Sequence, residues 1–377
     1  MEETKTVSYR VCVTGGNGLI ASYLIKKLML RGHTVHATLR SLDDESKVGQ
    51  LKGLPGAETR RLVLFEAGTN RLDGFEEAIR GCISSFMLRL SSLGPVLSVL
   101  VLQSPTMDRL GFVNLQTKSG VFSLYTASMA DMIAVAPVIA ARKRLPDLQS
   151  RYKHNKTLEQ DQQGRKMEFF RIDEATEEIH CGLKHSIVLE CEDVVDGVLT
   201  LLRTITKHCV ESGTVKRLIY TGSVVSISPM KEDGSGYKDF IDESCFTPFR
   251  LPVRYSSEFL QSYTDSKTVA SKELLRYDTD QQNGECKGLE VVNLECGLTA
   301  GDTILPYVSS SLPLLLSTIT NNEIALQSLL YLDELCGRVP IVHMDDVCEA
   351  HIFCMEQQSM RGRFLCASSY VSSAEIA

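Results

Sequence analysis

The chain lacks cysteines paired in CxxC spacing, internal repeats, an excess of positive charge, and any apolar run near the length of a membrane span. Each absence excludes a class. Twelve cysteines scattered over 377 residues read as buried thiols in a reducing compartment, not as a disulfide scaffold. The longest apolar stretches, Val96–Leu102 and Ile133–Ala141, fall well short of the ~20 residues that cross a bilayer. Met1–Lys5 is charged and without the apolar core of a signal peptide, so a cytoplasmic chain with no membrane span is expected. A net charge of −7 argues against general polyanion binding. The basic run Arg142–Thr157 has no aromatic interleaving, so it reads as solvated surface and no nucleic-acid partner is expected. What remains is ordinary globular material, long enough for one large domain or two smaller ones.

What is present begins near the N-terminus. Arg10–Thr14, RVCVT, reads as a short buried strand that runs into GGNGLIA, Gly15 to Ala21, and then into the amphipathic segment Ser22–Leu30. A second strand, Thr34–Leu39, ends on Arg40. Strand, glycine turn, helix and strand is the context a dinucleotide fingerprint requires, although a glycine turn can open any α/β unit. Gly15 permits the tight turn and Gly18 lets the backbone approach a pyrophosphate. The first amides of the helix, around Leu19 and Ile20, then hold it, and Ala21 is small enough for close helix–strand packing. An acidic residue at the end of the second strand selects NAD, whereas an arginine accommodates the 2′-phosphate of NADP. Arg40, followed by Ser41, therefore predicts NADP(H), and Lys47 is either a second positive charge for the site or a surface lysine. Arg61–Glu66 supplies a third strand and Gly74–Arg80 the start of another helix.

A second constellation lies in the last third. Val215–Thr221 reads as a strand followed by Gly222 and Ser223, and YTDSK, Tyr263 to Lys267, falls inside a helix expected over Ser256–Arg276. The i, i+4 spacing places Tyr263 and Lys267 on one helical face. A carbonyl reductase needs a proton donor as hydride arrives, and a phenol of pKa ~10 serves only if a nearby ammonium stabilises its anion. Lys267 supplies that charge and can bond the nicotinamide ribose, while Ser223 can orient the carbonyl. YxxxK alone is common by chance. A strand-end serine at suitable distance and an upstream nucleotide turn make the set Ser223, Tyr263 and Lys267 specific.

These residues resemble the dihydroflavonol, anthocyanidin, vestitone and cinnamoyl-CoA reductase group of plant extended short-chain dehydrogenases/reductases, in the NAD-dependent epimerase/dehydratase-like family. The resemblance runs in order through VCVTGGNGLIASYLIKKL, HATLR, SGTVKRLIYTGSV, YTDSK and VPIVHMDDVCEAHIFCME, covering about residues 7–82 and 194–377. It implies an α/β Rossmann-type doubly wound parallel sheet with a small C-terminal substrate lobe, and NADPH-driven reduction of a flavonoid-like phenolic substrate. It also implies that HMDDV, with His343, Asp345 and Asp346, is a structural turn into a helix and not a metal site. Cys348 and Cys354 on that helix cannot form a tetrahedral zinc site by themselves, so no metal is expected. Leu312–Leu316 is expected to be a buried helix of the lobe.

The departures from the family are specific. Gly68 stands where an acidic residue contacts adenine, Glu295 is read in place of a proline opening the loop after the sixth strand (Val291–Leu294), and Gly222 replaces a serine or alanine. The largest is Ile83–Cys191, where the family's fourth strand, much like FVFHVATP, gives way to ISSFMLRL. Codon degeneracy lets that string be the expected strand read two nucleotides out of frame, so the segment is either a frame-shifted or intron-derived translation or a genuine insertion. Ser128–Arg144 shows no clean periodicity, and a long structureless stretch inside a domain is uncommon. The chain stops at SSAEIA, where the family is expected to continue with a strand and helices of the substrate lobe. The resulting expectation is 7–82 and 192–300 as two parts of one NADP-binding domain, 83–191 as an anomalous insertion, and 301–377 as a truncated substrate lobe. An NADPH-dependent phenolic-carbonyl reductase is the leading function. A sugar-nucleotide epimerase or dehydratase and a catalytically impaired nucleotide-binding relative are the alternatives.

Overall fold

The computed structural model describes residues 8–88, 111–117, 120–126, 156–160, 166–170, 195–249, 253–280, 288–302, 304 and 311–376. Two compact units divide the chain: Met1–Ser92 with Cys191–Ala377, and Leu93–Glu190.

The first unit opens on β1 (Arg10–Val13), α1 (Leu19–Leu30), β2 (Thr34–Leu39), α2 (Glu45–Lys52), β3 (Leu62–Glu66), α3 (Gly74–Ile79) and β4 (Ser84–Met87). In the second unit β5 (Gly111–Thr117) and β6 (Gly120–Thr126) form one antiparallel hairpin, and β7 (Lys156–Gln160) and β8 (Lys166–Phe170) another. Apart from these strands, the stretches Val96–Leu102, Ser128–Arg144 and Arg142–Thr157 lie outside the described residues. The first unit resumes with α4 (195–211), β9 (Arg217–Ser223), α5 (Glu258–Asp280), β10 (Glu290–Cys296) and β11 (Leu298–Ala300). Then follow α6 (Leu312–Leu315), α7 (Ser317–Thr320), α8 (Glu323–Cys336), β12 (Val339–His343), α9 (Met344–Glu356), β13 (Gly362–Cys366), β14 (Ser369–Val371) and α10 (Ser373–Ile376).

Seven strands form one parallel sheet in the order β13-β10-β9-β4-β1-β2-β3. The chain steps outward from β1 to β3 and returns beside β1 at β4, so the order reverses between β1 and β4. That crevice is where doubly wound sheets bind their ligands. Alternation along the strands builds two cores. Val11, Val13, Ile219 and Val292 pack on one face with α1 and α9, while Cys12, Leu218, Tyr220 and Val291 pack on the other with α3, α4 and α5. A third cluster gathers Val224, Leu298, Leu329, Leu332 and Val339 between α8 and the small sheet β11-β12-β14.

Two expectations are corrected here. ISSFMLRL supplies a fourth strand after all: β4 pairs in parallel with both β1 and β9, and its four side chains are buried. A central position needs only short β-compatible side chains with pairing partners on each side, and Ser84-Ser85-Phe86-Met87 meets that need. Leu312–Leu316, in contrast, is no buried helix. The helix ends after Leu315, carries no fully buried residue, and has Pro313 in its first turn. Leu314 and Leu315 are only half-buried against the third cluster.

Candidate active site

The glycine turn sits at the switch point, held by β2. Thr38 accepts from Gly15 N through Oγ1 at 3.1 Å and from Gly16 N through its carbonyl at 2.8 Å. Gly15 takes φ +62°, the left-handed region that favours glycine. A Cβ on Gly18 would stand 3.2 Å from Gly15 O, and one on Gly16 would meet Ala37 Cβ at 3.1 Å and Ile25 Cδ1 at 3.2 Å. Close packing against β2 is thus Gly16's role, which the doubled glycine signals, and Ala21 is buried. α1 starts at Leu19–Ile20 with no acidic residue in its first turn, leaving the field of its amides free for an anion. Arg40 is exposed and makes no ion pair among the described residues, and Gly68 lies beneath it, its absent Cβ 3.4 Å from Arg40 Cγ. Lys47 is instead paired with Asp44, the N-cap of its own helix.

Tyr263 and Lys267 share a face of α5, packed on the C-terminal end of β9. Lys267 is 8% exposed. Its Nζ lies 3.5 Å from Tyr220 Oη and 3.4 Å from Thr221 O, and 6.0 Å from the centre of the Tyr263 ring. Burial alone would lower the pKa of the amine. The Tyr220 and Tyr263 phenols and the Glu295 carboxylate outweigh it and raise its pKa above the ordinary lysine value. Tyr220, fully buried, is pushed up to about 12 by burial, with Lys267 opposing. Ser223 ends the same strand two residues after Thr221. The structure therefore brings Lys267 and Tyr263 together and sets Ser223 at the adjoining strand end. No hydrogen bond joins Ser223 to Tyr263 among the described residues.

The floor of this site corrects another expectation. Glu295 does not open a loop; it lies inside β10, in register with Gly222 of β9. Its side chain is fully buried and bound on both oxygens. Oε2 accepts from Ser223 N at 2.8 Å, and Oε1 from Ser271 Oγ at 2.6 Å and Arg363 Nε at 2.9 Å. Arg363, 1% exposed, sends its remaining donors to Cys245 O, Glu243 O and Ser226 O and Oγ, and covers the Phe246 ring at 4.2 Å. Such satisfaction is what a buried ion pair needs to offset its desolvation.

A recess of about 350 Å³ is lined by Val224, Tyr237, Phe240, Ile241, Leu365 and Tyr370, and by none of Ser223, Tyr263 and Lys267. His343 caps α9, accepting from Asp345 N at 3.2 Å through Nδ1, and Asp345 pairs with Lys27 at 2.7 Å. Those two residues therefore have structural roles. No helix among the described residues is long and apolar enough to cross a membrane.

No family model matches the chain. Curated relatives do. Vestitone reductase of Medicago sativa is 29% identical over 371 residues, 97% of this chain and 79% of the relative. Anthocyanidin reductase of Arabidopsis thaliana is 25% identical over 374 residues, 99% and 80%. Dihydroflavonol 4-reductase of Gerbera hybrida is 27% identical over 369 residues, 98% and 70%. Among solved structures, alfalfa vestitone reductase is similar at TM-score 0.55 and 25% identity, covering 98% of this chain and 79% of that one. Yeast methylglyoxal/isovaleraldehyde reductase Gre2, solved with NADPH, shares the fold at TM-score 0.53 and 11% identity, covering 96% and 78%. The chain is a homologue of the plant anthocyanidin, vestitone and dihydroflavonol reductases over nearly its whole length, and its ancestry is that of an oxidoreductase.

Proposed function

We propose that the chain is an NADPH-dependent reductase of a flavonoid or related phenolic carbonyl, working in the cytoplasm. The observation that carries this reading is the buried Lys267 ammonium between two tyrosines at the C-terminal edge of the sheet, with Ser223 at the adjoining strand end. The nicotinamide, when bound, supplies the hydride. Ser223 Oγ donates to the substrate carbonyl oxygen and orients it. Tyr263 Oη gives that oxygen its proton, and Lys267, its charge favoured by Glu295, stabilises the phenolate left behind. Gly15, Gly18, Leu19, Ile20 and Ala21 cradle the pyrophosphate, and Lys267 and Tyr263 face the nicotinamide ribose. Arg40, without a carboxylate partner among the described residues, receives the 2′-phosphate.

The cytoplasmic assignment is supported by the nine described cysteines, all free thiols. Fluorescence titration of the purified chain with NADPH tests the first requirement. Saturable micromolar binding is expected, weakened ~10-fold or more by Arg40→Ala, with NADH binding little changed. In turnover of phenolic carbonyls, Tyr263→Phe is expected to lower kcat on the order of 10²–10⁴-fold. A folded chain that ignores NADPH would leave only a reductase's ancestry.

A further inference from the structure

The same carboxylate that the sequence marked as a departure touches both elements that carry the proposed catalytic set, β9 and α5. Glu295 Oε2 holds the backbone N–H of Ser223, at the end of β9. Its Oε1 holds Ser271, one helical turn beyond Lys267 on α5, and Arg363 of β13. A Cβ on Gly222 would stand 1.9 Å from Oε2 and 2.6 Å from Cδ, so the glycine at 222 is the slot that admits the side chain. The group is fully buried, so water cannot take over any of its three bonds.

We propose that Glu295 is a positioning residue, tying the end of β9 to α5 so that Ser223 and the Tyr263–Lys267 pair address one carbonyl oxygen. The inference rests on the reductase reading. Its logic is geometric: two hydroxyls on different elements must converge on one atom, and a misplacement of 1 Å can cost ~10²-fold in rate. Glu295 acts through the Ser223 amide and through α5, and does not itself meet substrate.

The test is Glu295→Gln in the full chain. A carboxamide offers one acceptor oxygen where the site presents donors to both, so either Ser223 N or the Ser271–Arg363 side loses its acceptor. Ser271→Ala is the milder second variant, since it leaves the ion pair intact. Glu290→Gln, at the opposite end of β10, serves as a purely structural control. Amide hydrogen exchange of the peptide holding Ser223 should accelerate at least tenfold in Glu295→Gln and remain at the wild-type rate in Glu290→Gln. We expect kcat to fall 10–100-fold in Glu295→Gln and about threefold in Ser271→Ala, with KM and NADPH affinity within threefold of wild type. Wild-type exchange at Ser223 in Glu295→Gln, or wild-type kcat in both site variants, would overturn the inference. Failure of the reductase reading would show separately, as absent turnover by the wild-type chain, and the exchange measurement would still decide whether Glu295 holds Ser223.

Discussion

Two arginine–glutamate pairs brace the same strand, β10, and they teach opposite things. At its N-terminal end Arg217 faces Glu290 directly across the β9–β10 ladder, with Nε 2.8 Å from Oε2. Arg217 also donates to the carbonyls of Cys354, Met355 and Gln357, which are left free where α9 ends. Glu290 keeps Ser359 Oγ at 2.5 Å and Met360 N at 3.3 Å, and its side chain is 13% exposed. This pair closes a helix end. At the C-terminal end Glu295 meets Arg363 with side-chain exposures of 0% and 1%, and the acceptor not spent on the pair goes to Ser223 N. Parallel sheets present reactive groups at their C-terminal edge. The same chemistry thus serves scaffolding at one end and aim at the other.

The comparison breaks most visibly if one arginine is removed from each end. Arg363→Met leaves Glu295 charged, unpaired and out of reach of water, and should cost about 3–5 kcal/mol. Arg217→Met should cost about 2 kcal/mol, because Glu290 retains Ser359, Met360 and a path to solvent. Urea unfolding of both variants checks the order. Equal losses would mean that the two ends differ in address only.

The slot at Gly222 gives the next largest effect. Gly222→Ala drives a methyl group into the Glu295 carboxylate, and overpacking of this kind costs about 1–3 kcal/mol. Against a background of Glu295→Ala the same methyl group finds space, so the penalty should fall close to zero. A double-mutant cycle on urea midpoints should therefore give a coupling of about 1–3 kcal/mol, whereas simple additivity would show that the glycine is there for another reason.

This coupling also shows where the sequence was legible and where it was not. GGNG as a turn after a strand and YTDSK inside a helix announce themselves because their local structure is set within a few residues, and β2 was placed to the residue. Glu295 resisted because its meaning depends on Gly222, Ser271 and Arg363, brought beside it only by the register of three parallel strands and the docking of α5. Read one at a time, Gly222 and Glu295 are two deviations; in the sheet they are one arrangement. β4 escaped for the converse reason, since a central slot accepts an unpromising tetrapeptide once β1 and β9 pair with it. Leu312–Leu316 misled through composition, an apolar run being compatible with a helix only half-covered by its neighbours.

Between the two ends of β9 sits a smaller effect that sharpens the same contrast. Thr221 Oγ1 lies 2.7 Å from His351 Nε2, and His351 Nδ1 lies 2.7 Å from Val347 O. A carbonyl can only accept, so Nδ1 carries the proton and Nε2 accepts from the threonine hydroxyl. Burial drives the imidazole pKa down to about 4, with the bond to Val347 opposing. The unfolded chain binds the proton near pH ~6.5 and the folded chain only near 4, so stability is full above the unfolded value and falls as pH drops between the two. From pH 7 to pH 5.5 the loss from this one residue should be about 1 kcal/mol. His351→Gln should lack that slope, so urea midpoints should show the variant gaining about 1 kcal/mol on the wild type between pH 7 and pH 5.5. An unchanged slope would mean that the ring takes up its proton as readily in the fold as outside it. The middle of β9 would then be as open to solvent as the Glu290 end, and a dry strand running up to Ser223 would have to be abandoned.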